Sequence, residues 1–436
     1  MKLFDLSLRI NGFPIGKATR HLHEILAISE KNFPAFNKHR RDEIVRFHLQ
    51  NNPLYRSKVS ENYTWESLPV MRKSDFQQPL PLRLSKGYTP KNVFVNKTSG
   101  SSGDPFVFAK DKFCHALIWA NIQRRWNWYG IDFNHSFQAR FYGMPLESWA
   151  LFKLRVKDFL SNRHRFSIFD FSEGAMDDML SVFARKKFDY INGYANSIVL
   201  LAKHLRRRNQ ILKNICPTLK LCISTSEMLF EDDRLLIERY FGVPVVNEYG
   251  SAELDIMAFE DPNKTWRANA ETLYIEILDE NDNVLPYGAE GRIVVTSLYN
   301  KAHPMIRYDV GDIGILDEAS TEKNPVLKKL TGRTNDTIVL PGGKVAPGMT
   351  FYTITKQLFD DEGNVFEFVI VQTQINTFEI HYTSAHPLTD AEEYRIRDVF
   401  SRYLEPGLTV IFCRQDRLER TKSGKLKQFI SKLPSA

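Results

Sequence analysis

Residues 97–105 read Lys97-Thr98-Ser99-Gly100-Ser101-Ser102-Gly103-Asp104-Pro105. Two glycines and four hydroxyls fall within the six residues from Thr98 to Gly103. Glycine lets backbone N–H groups approach a phosphate closely, and hydroxyls add rotatable donors. Val93-Phe94-Val95 before this segment and Pro105-Phe106-Val107-Phe108 after it have strand character. The pattern predicts a flexible loop over a triphosphate, held between two strands. A plain Gly/Ser hairpin turn is the alternative that these residues alone leave open. The common phosphate loop is excluded, because it needs G-x-x-x-x-G-K-[ST] running into a helix. The dinucleotide fingerprint is missing as well.

On either side the chain alternates helix and strand. Residues 18–50 predict amphipathic helix, with Leu22, Ile25, Leu26 and Ile28 at helical spacing. Pro53 and the Pro79/Pro81 region are breaks. Residues 111–129 predict a long helix bearing Trp119, Trp126 and Trp128. Helices over 175–188, 194–208 and 231–241 are interleaved with buried strands at 219–223 and 243–246. That order predicts α/β packing around a mostly parallel sheet. After Thr272 the texture changes. Leu273 to Leu278 is an apolar run interrupted by Glu276, and Gly291 to Ser297 is a further strand, so an antiparallel β subdomain is expected. Beyond Gly332, strands at 366–372, 377–382 and 408–413 flank a helix opened by the capping box Thr389-Asp390-Ala391-Glu392. The expected fold class is α/β, with a large N-terminal domain over 1–332 and a small, mobile C-terminal α/β domain over 333–436.

Bulk properties narrow the function. The 436 residues are 43% apolar and 25% charged, enough for a large domain plus a smaller one. The net charge of +7 is dispersed, which argues against a nucleic-acid surface. Its densest run, Lys203 to Arg208, reads as a solvated helix face, with an anion or partner site as the alternative. The four cysteines, Cys114, Cys216, Cys222 and Cys413, form no C-x-x-C pair and are expected reduced and mostly buried. No apolar run reaches the ~18–20 residues of a membrane span, and no signal-peptide core opens the chain. A cytoplasmic protein, monomer or homodimer, is expected.

The glycine–hydroxyl segment resembles the [ST]-S-G-[ST]-[ST]-G-x-P motif of the adenylate-forming superfamily. Other motifs of that superfamily follow in order. Ser224-Thr225-Ser226-Glu227 resembles the segment that borders adenine. Asn247-Glu248-Tyr249-Gly250-Ser251-Ala252-Glu253 resembles Y-G-x-x-E. Arg307-Tyr308-Asp309-Val310-Gly311-Asp312 resembles Y-x-x-G-D. Gly332 to Asp336 with Gly342 to Pro347 resembles the inter-domain hinge, and Arg420 to Lys425 the catalytic-lysine loop. The chain looks most similar to the phenylacetate–CoA ligase branch and its capsular-polysaccharide subgroup, through Tyr190 to Asn196, Leu200 to Ala202, Ile275 to Asp279 and Pro304 to Tyr308.

The resemblance implies ATP-dependent conversion of a carboxylic acid, aryl or otherwise apolar, to an acyl-adenylate, then transfer to coenzyme A. Transfer to an amine or a carrier-protein thiol is an alternative, as is a non-catalytic nucleotide-binding relative. Lys425 is implied as the catalytic cation bridging substrate carboxylate and α-phosphate. Glu253 is the implied Mg²⁺ ligand and Asp312 the acceptor for ribose hydroxyls. Arg333 is expected to contact ribose or phosphate, Tyr249 to stack on adenine and Asn247 to meet its edge. Thr98, Ser99, Gly100, Ser101, Ser102 and Gly103 are expected to hold phosphates, and Gly250 and Ser251 to border the nucleotide. Ser226 and Glu227 are expected to act through their backbone, and Asn335 as the hinge. Tyr142 and Tyr194 are the leading acid-pocket residues, with Phe141, Met144 and Tyr190 as further candidates and plain core packing the alternative. Some phenylacetate–CoA ligase relatives carry a cysteine-rich zinc site after Y-G-x-x-E; residues 254–272 contain no Cys, so no zinc is expected. Three departures stand out: Asp104 where a lysine is common, Ser251-Ala252 without the usual threonine, and Asn335 where Asp or Lys is usual.

Overall fold

The computed structural model describes residues 3–98, 106–143, 148–333, 337–343, 345–347, 364–421 and 424–433. The chain forms two compact units. The first is Met1–Val310 with Ile315–Lys329, and the second is Gly311–Gly314 with Leu330–Ala436. The short segment Gly311–Gly314, which carries Asp312, thus groups with the second unit although the sequence places it well before residue 333.

The first unit is built on a seven-stranded sheet. Its strands are β3 (Gln138–Phe141), β4 (Arg163–Phe166), β5 (Tyr190–Tyr194), β6 (Leu221–Thr225), β7 (Val245–Ser251), β8 (Asp255–Glu260) and β9 (Trp266–Ala268). Their order is β4-β3-β5-β6-β7-β8-β9. The four pairings from β4 to β7 are parallel, and β8 and β9 add antiparallel edges. Every residue of β5 and of β6 is buried, as strands covered by helices on both faces must be. One face packs Tyr190, Leu221, Ile223 and Val246 with Trp126 of the helix Lys112–Asn127. The other packs Phe141, Ile191, Cys222 and Val245 with Phe183, Leu201 and Ile237 from three further helices. The helix Glu231–Phe241 matches its expected span. Three acids occupy its first turn, and Gly242 closes it at φ 69°.

Ahead of that sheet, β1 (Phe94–Lys97) and β2 (Val107–Lys110) pair as an antiparallel hairpin, which puts a strand on either side of the glycine–hydroxyl segment as expected. A four-stranded sheet runs β10 (Leu273–Leu278), β11 (Glu290–Ser297), β12 (Tyr308–Leu316) and β13 (Leu327–Arg333) in order. In the second unit β14 (Thr337–Val339) pairs antiparallel with β15 (Val345–Pro347). A second four-stranded sheet joins β16 (Val365–Gln374), β17 (Thr377–Ser384), β18 (Thr409–Arg414) and β19 (Phe429–Ser431) in the order β18-β17-β16-β19. The helix Asp390–Tyr403 is opened by both halves of the Thr389/Glu392 capping box.

The cysteines are unpaired, with Cys114, Cys216 and Cys222 buried and Cys413 half-buried. Among the described residues no helix is long and apolar enough to cross a membrane. The basic run at 203–208 is not uniformly solvated. His204 is buried, with Nε2 at 2.9 Å from Asp177, and Arg207 and Arg208 pair with Glu173 and Asp177 of the neighbouring helix.

Buried histidines tie the first unit together. His48 is fully buried, with Nδ1 at 3.0 Å from Ser85 Oγ and Nε2 at 2.9 Å from the Asn300 carbonyl. Burial pushes it from 6.5 down to about 4, and His115 and His303 are lowered for the same reason. The unfolded chain therefore takes up these protons before the folded one does. Stability falls as pH drops from about 6.5 through about 4, with His48 alone contributing about 3 kcal/mol to the loss. Thermal unfolding followed against pH is expected to show this decline, with a shallower slope for His48→Gln. An equal slope in the variant would remove His48 from the account.

Candidate active site at the carboxyl edge of the parallel sheet

Ligands of open α/β sheets settle in the crevice beyond the carboxyl ends of the strands. Tyr142 lies just past β3, Tyr194 ends β5, Ser226 and Glu227 follow β6, and Asn247 to Ser251 close β7. The expected residues of the first unit thus converge on one edge. The rings of Tyr142 and Tyr194 meet at a tilt of 50°, with centroids 4.6 Å apart. Phe141 and Tyr190, also pocket candidates, are core instead. Phe141 stacks on Phe166 beneath the sheet, and Tyr190 meets Trp126 on the opposite face. Strand alternation turns Phe141 away from the side of Tyr142, whereas Tyr190 shares the face of Tyr194 but sits at the start of β5, away from the carboxyl edge. Met144 lies outside the described residues.

Thr98 closes the mouth of the β1–β2 hairpin. Its N–H donates to the Phe106 carbonyl at 2.9 Å, and its hydroxyl oxygen accepts from the Phe106 N–H at 2.9 Å. Ser99, Gly100, Ser101, Ser102, Gly103 and Asp104 lie outside the described residues. Ser226 has φ 70°, so β6 ends in a left-handed turn. Glu227 acts through its side chain: Oε2 accepts from the Asn196 N–H at 2.9 Å, at the start of the helix Ala195–Arg207. A carboxylate there also favours the helix dipole.

The turn after β7 is tightly constrained. A Cβ on Gly250 would lie 2.2 Å from the Asp255 carbonyl oxygen, so only glycine fits. Ser251 Oγ accepts from the Leu254 N–H at 3.2 Å, and Asp255 has φ 59°. The ammonium of Lys110, only 1% exposed, pairs with Asp255 and donates to the Ala252 carbonyl at 3.2 Å. This buried pair fastens the end of the β1–β2 hairpin to the turn carrying Glu253. Sequence reading missed it, since Lys110 belongs to no motif. Glu253 is half-buried, and its Oε1 accepts from the Tyr308 hydroxyl at 3.0 Å. Its Oε2 accepts no hydrogen bond among the described residues, which suits an Mg²⁺ ion held by one carboxylate oxygen, waters and phosphate.

Asn247 donates its N–H to Glu260 at 2.8 Å and keeps its side chain half-exposed. Tyr249 is 8% exposed and meets Trp266 edge-on at 6.1 Å. Between them Glu248 points to the face covered by the helix Lys112–Asn127, where Trp126 Nε1 and Thr225 Oγ1 donate to it at 3.2 and 3.0 Å. Burial pushes its carboxyl up to about 7. This side chain has no role in the sequence reading, and the position of Glu248 inside the Asn247-to-Glu253 motif was the available signal.

In the second unit Asp312 is a half-buried residue of β12, next to Gly311 at φ 79°. Arg333 ends β13, its side chain outside the described residues, as is Asn335 altogether. Lys425 is half-buried at the end of a closed turn. Thr421 donates its N–H to the Lys425 carbonyl at 2.9 Å, and the Lys425 N–H returns to Thr421 Oγ1 at 3.0 Å. Gly424, at φ 85°, donates to the Thr421 carbonyl at 2.7 Å. Among the described residues one His/Cys/Glu group gathers, Glu379, His381 and Cys413 on β17 and β18. There His381 Nε2 already meets Glu379 at 2.7 Å and Nδ1 meets Gln415 at 2.9 Å, so both ring nitrogens are engaged.

No family model matches the chain. Among curated proteins it is similar to phenylacetate–coenzyme A ligase of Aromatoleum evansii, 24% identical over 233 residues, covering 50% of this chain and 52% of that protein. The corresponding ligase of Pseudomonas putida is 30% identical over 137 residues, 30% of each chain. Protein CapK of Staphylococcus aureus is 24% identical over 195 residues, 44% of this chain and 41% of that one. The chain thus spans about half the length of the first of these relatives. A structure of 2-hydroxyisobutyryl-CoA ligase in the postadenylation state with R3-HIB-AMP aligns at TM-score 0.70 and 19% identity, covering 93% of this chain and 90% of that one. Anthranilate CoA ligase AuaEII with anthranoyl-AMP aligns at TM-score 0.54 and 14% identity over 76% and 65% of the two chains. ATP-bound MatB from Rhodopseudomonas palustris aligns at 0.52 and 18% over 75% and 64%.

Proposed function

We propose that this chain, which has the fold of the adenylate-forming acyl-CoA ligases and sequence kinship to the phenylacetate–coenzyme A ligase branch, uses ATP to convert a carboxylic acid to an acyl-adenylate and passes the acyl group to coenzyme A. The observation that carries this reading is the convergence of Tyr142, Tyr194, Ser226 and the Asn247–Glu253 segment on the carboxyl edge of the parallel sheet.

The first step joins two anions. A substrate carboxylate oxygen attacks the α-phosphorus, and pyrophosphate leaves with the electron pair of the broken P–O bond. Charge neutralisation and positioning supply most of the acceleration for such a step. Lys425 is the proposed cation between carboxylate and α-phosphate. The loop from Thr98 to Gly103 holds the β- and γ-phosphates through N–H groups and hydroxyls, since Asp104 brings no positive charge. Asp312 accepts from the ribose hydroxyls, two donors matching two carboxylate oxygens. Arg333 contacts ribose or phosphate. Tyr249, Asn247, Gly250 and Ser251 border the adenine, and Ser226 shapes the turn beside it. Glu253 would hold Mg²⁺, which when bound neutralises phosphate charge. Asn335 is the proposed hinge, about which the second unit turns so that coenzyme A can reach the acyl-adenylate. Tyr142 and Tyr194 wall the acyl group.

Incubation with ATP, Mg²⁺, coenzyme A and a panel of carboxylic acids is expected to yield AMP and an acyl-CoA thioester, read by mass spectrometry. Acid-dependent AMP release without thioester, and with capture by an added amine, would replace coenzyme A as the acceptor.

A further inference from the structure

Most of the buried or half-buried carboxylates of the first unit with a described ion pair come with arginines. Glu260 receives both terminal nitrogens of Arg234 at 2.7 and 3.0 Å. Glu271 receives Arg125 at 2.8 Å and Arg124 at 3.0 Å. Asp158 pairs with Arg163 and Arg165, and Glu276 lies 3.6 Å from Arg307. Asp111 has no arginine but accepts three backbone N–H groups, from Phe113, Cys114 and Lys301; Glu248 has neither arrangement. Its two hydrogen bonds come from the neutral groups Thr225 and Trp126. Among the described residues no Lys, Arg or His lies within ion-pair distance of it. Arg140, whose charge acts on it, lays its guanidinium over the Tyr142 ring at 4.0 Å.

A carboxylate has lone pairs for about four hydrogen bonds, and here two are used. Burying one without a cation is costly unless another donor arrives. The position says where that donor would come from. Tyr194, Thr225 and Glu248 are register partners across β5, β6 and β7, so their side chains share a face. Arg140 and Asn192 pair one step earlier on the same face. Glu248 is half-buried, where the parallel pairing of β6 with β7 ends, on the face that also carries Tyr194.

We propose that Glu248 is the specificity-determining acceptor of the acyl pocket, and that the acid activated here carries a hydrogen-bond donor, an amino or a hydroxyl group, that reaches its carboxyl oxygens. This rests on the adenylation reading and refines its substrate class from an apolar acid to a donor-bearing one. A purely hydrocarbon acid would cover Glu248 without serving its open lone pairs. A site built to bond a substrate donor rejects the analogue lacking it far more strongly than an apolar pocket rejects a missing methylene.

The test is acid-dependent ATP–pyrophosphate exchange with matched acids: phenylacetate against its 4-hydroxy and 4-amino forms, and propionate against lactate and alanine. In the wild type a donor-bearing acid is expected to exceed its hydrocarbon partner in kcat/KM by about 100-fold or more. Glu248→Leu is expected to shrink that ratio at least tenfold. Glu248→Gln separates lactate from alanine, since an amide keeps a hydroxyl partner and loses the charge that attracts a cationic alkyl amine. A ratio near one in the wild type, or a ratio unchanged in Glu248→Leu, overturns the assignment while leaving adenylation intact. Exchange absent with every acid removes the adenylation reading and this assignment with it. The wild-type comparison needs no variant to fold.

Discussion

Lys425→Ala is expected to slow acyl-adenylate formation by about 100- to 1,000-fold, the usual loss when one preorganised electrostatic contact to a developing charge is removed. The local geometry gives this side chain a fixed origin. Thr421 and Lys425 exchange backbone and hydroxyl hydrogen bonds, and Gly424 takes the left-handed conformation that closes the turn. Arg420 donates to the Gly424 carbonyl at 3.3 Å and pairs with Glu367 of β16, tying the turn to the sheet. Truncation at Lys425 leaves these contacts in place, so the fold should survive and the loss should fall on chemistry. Acyl transfer from a preformed acyl-adenylate to coenzyme A is expected to fall far less. Pre-steady-state measurement of the two half-reactions separates them. Equal losses in both would point to misfolding or to a different role for Lys425.

Arg307→Leu is expected to destabilise the first unit by about 3–5 kcal/mol, the cost of breaking a buried charge pair from one side. Arg307 is fully buried. Nη1 donates to the carbonyls of Glu66 and Leu68 at 2.8 and 2.7 Å, and Nη2 to that of Asp282 at 3.2 Å. Nε lies 3.6 Å from Glu276, itself 2% exposed and otherwise bonded by Trp65 at 2.9 Å. Leucine leaves three carbonyls without their donor and the buried Glu276 carboxylate without its counter-charge. Adding Glu276→Gln removes the stranded charge and should recover part of the loss. Urea unfolding of the single and double variants measures both terms. A single-variant loss below about 1 kcal/mol would show that the pair is not a structural pin.

What the sequence made legible follows from periodicity and local chemistry. The hairpin around the glycine–hydroxyl segment, the helix Glu231–Phe241 and the capping box at Thr389 each depend on neighbours a few residues apart. Long-range pairing was not legible in the same way. Glu276 reads as the outward residue of an apolar strand, yet it is buried because Arg307 and Trp65, from distant segments, meet it there. The Lys110–Asp255 pair spans 145 residues and belongs to no motif. Phe141 and Tyr142 are adjacent, and which of the two faces the site depends on the face of β3 turned toward the helix Lys112–Asn127. Glu248 lay within a recognised motif, but that only two neutral groups donate to it emerges only from the folded chain, since Trp126 comes from a distant segment.

The central claim is that this chain makes an acyl-adenylate. Exchange of labelled pyrophosphate into ATP tests it most directly, because exchange requires the adenylation step to run in both directions without any acceptor. Label is predicted to enter ATP only when Mg²⁺ and a suitable carboxylic acid are present, and to drop by about two orders of magnitude or more in Lys425→Ala. ATP bound by the wild type with no acid-dependent exchange across a broad panel of acids, or exchange undiminished in Lys425→Ala, would contradict it.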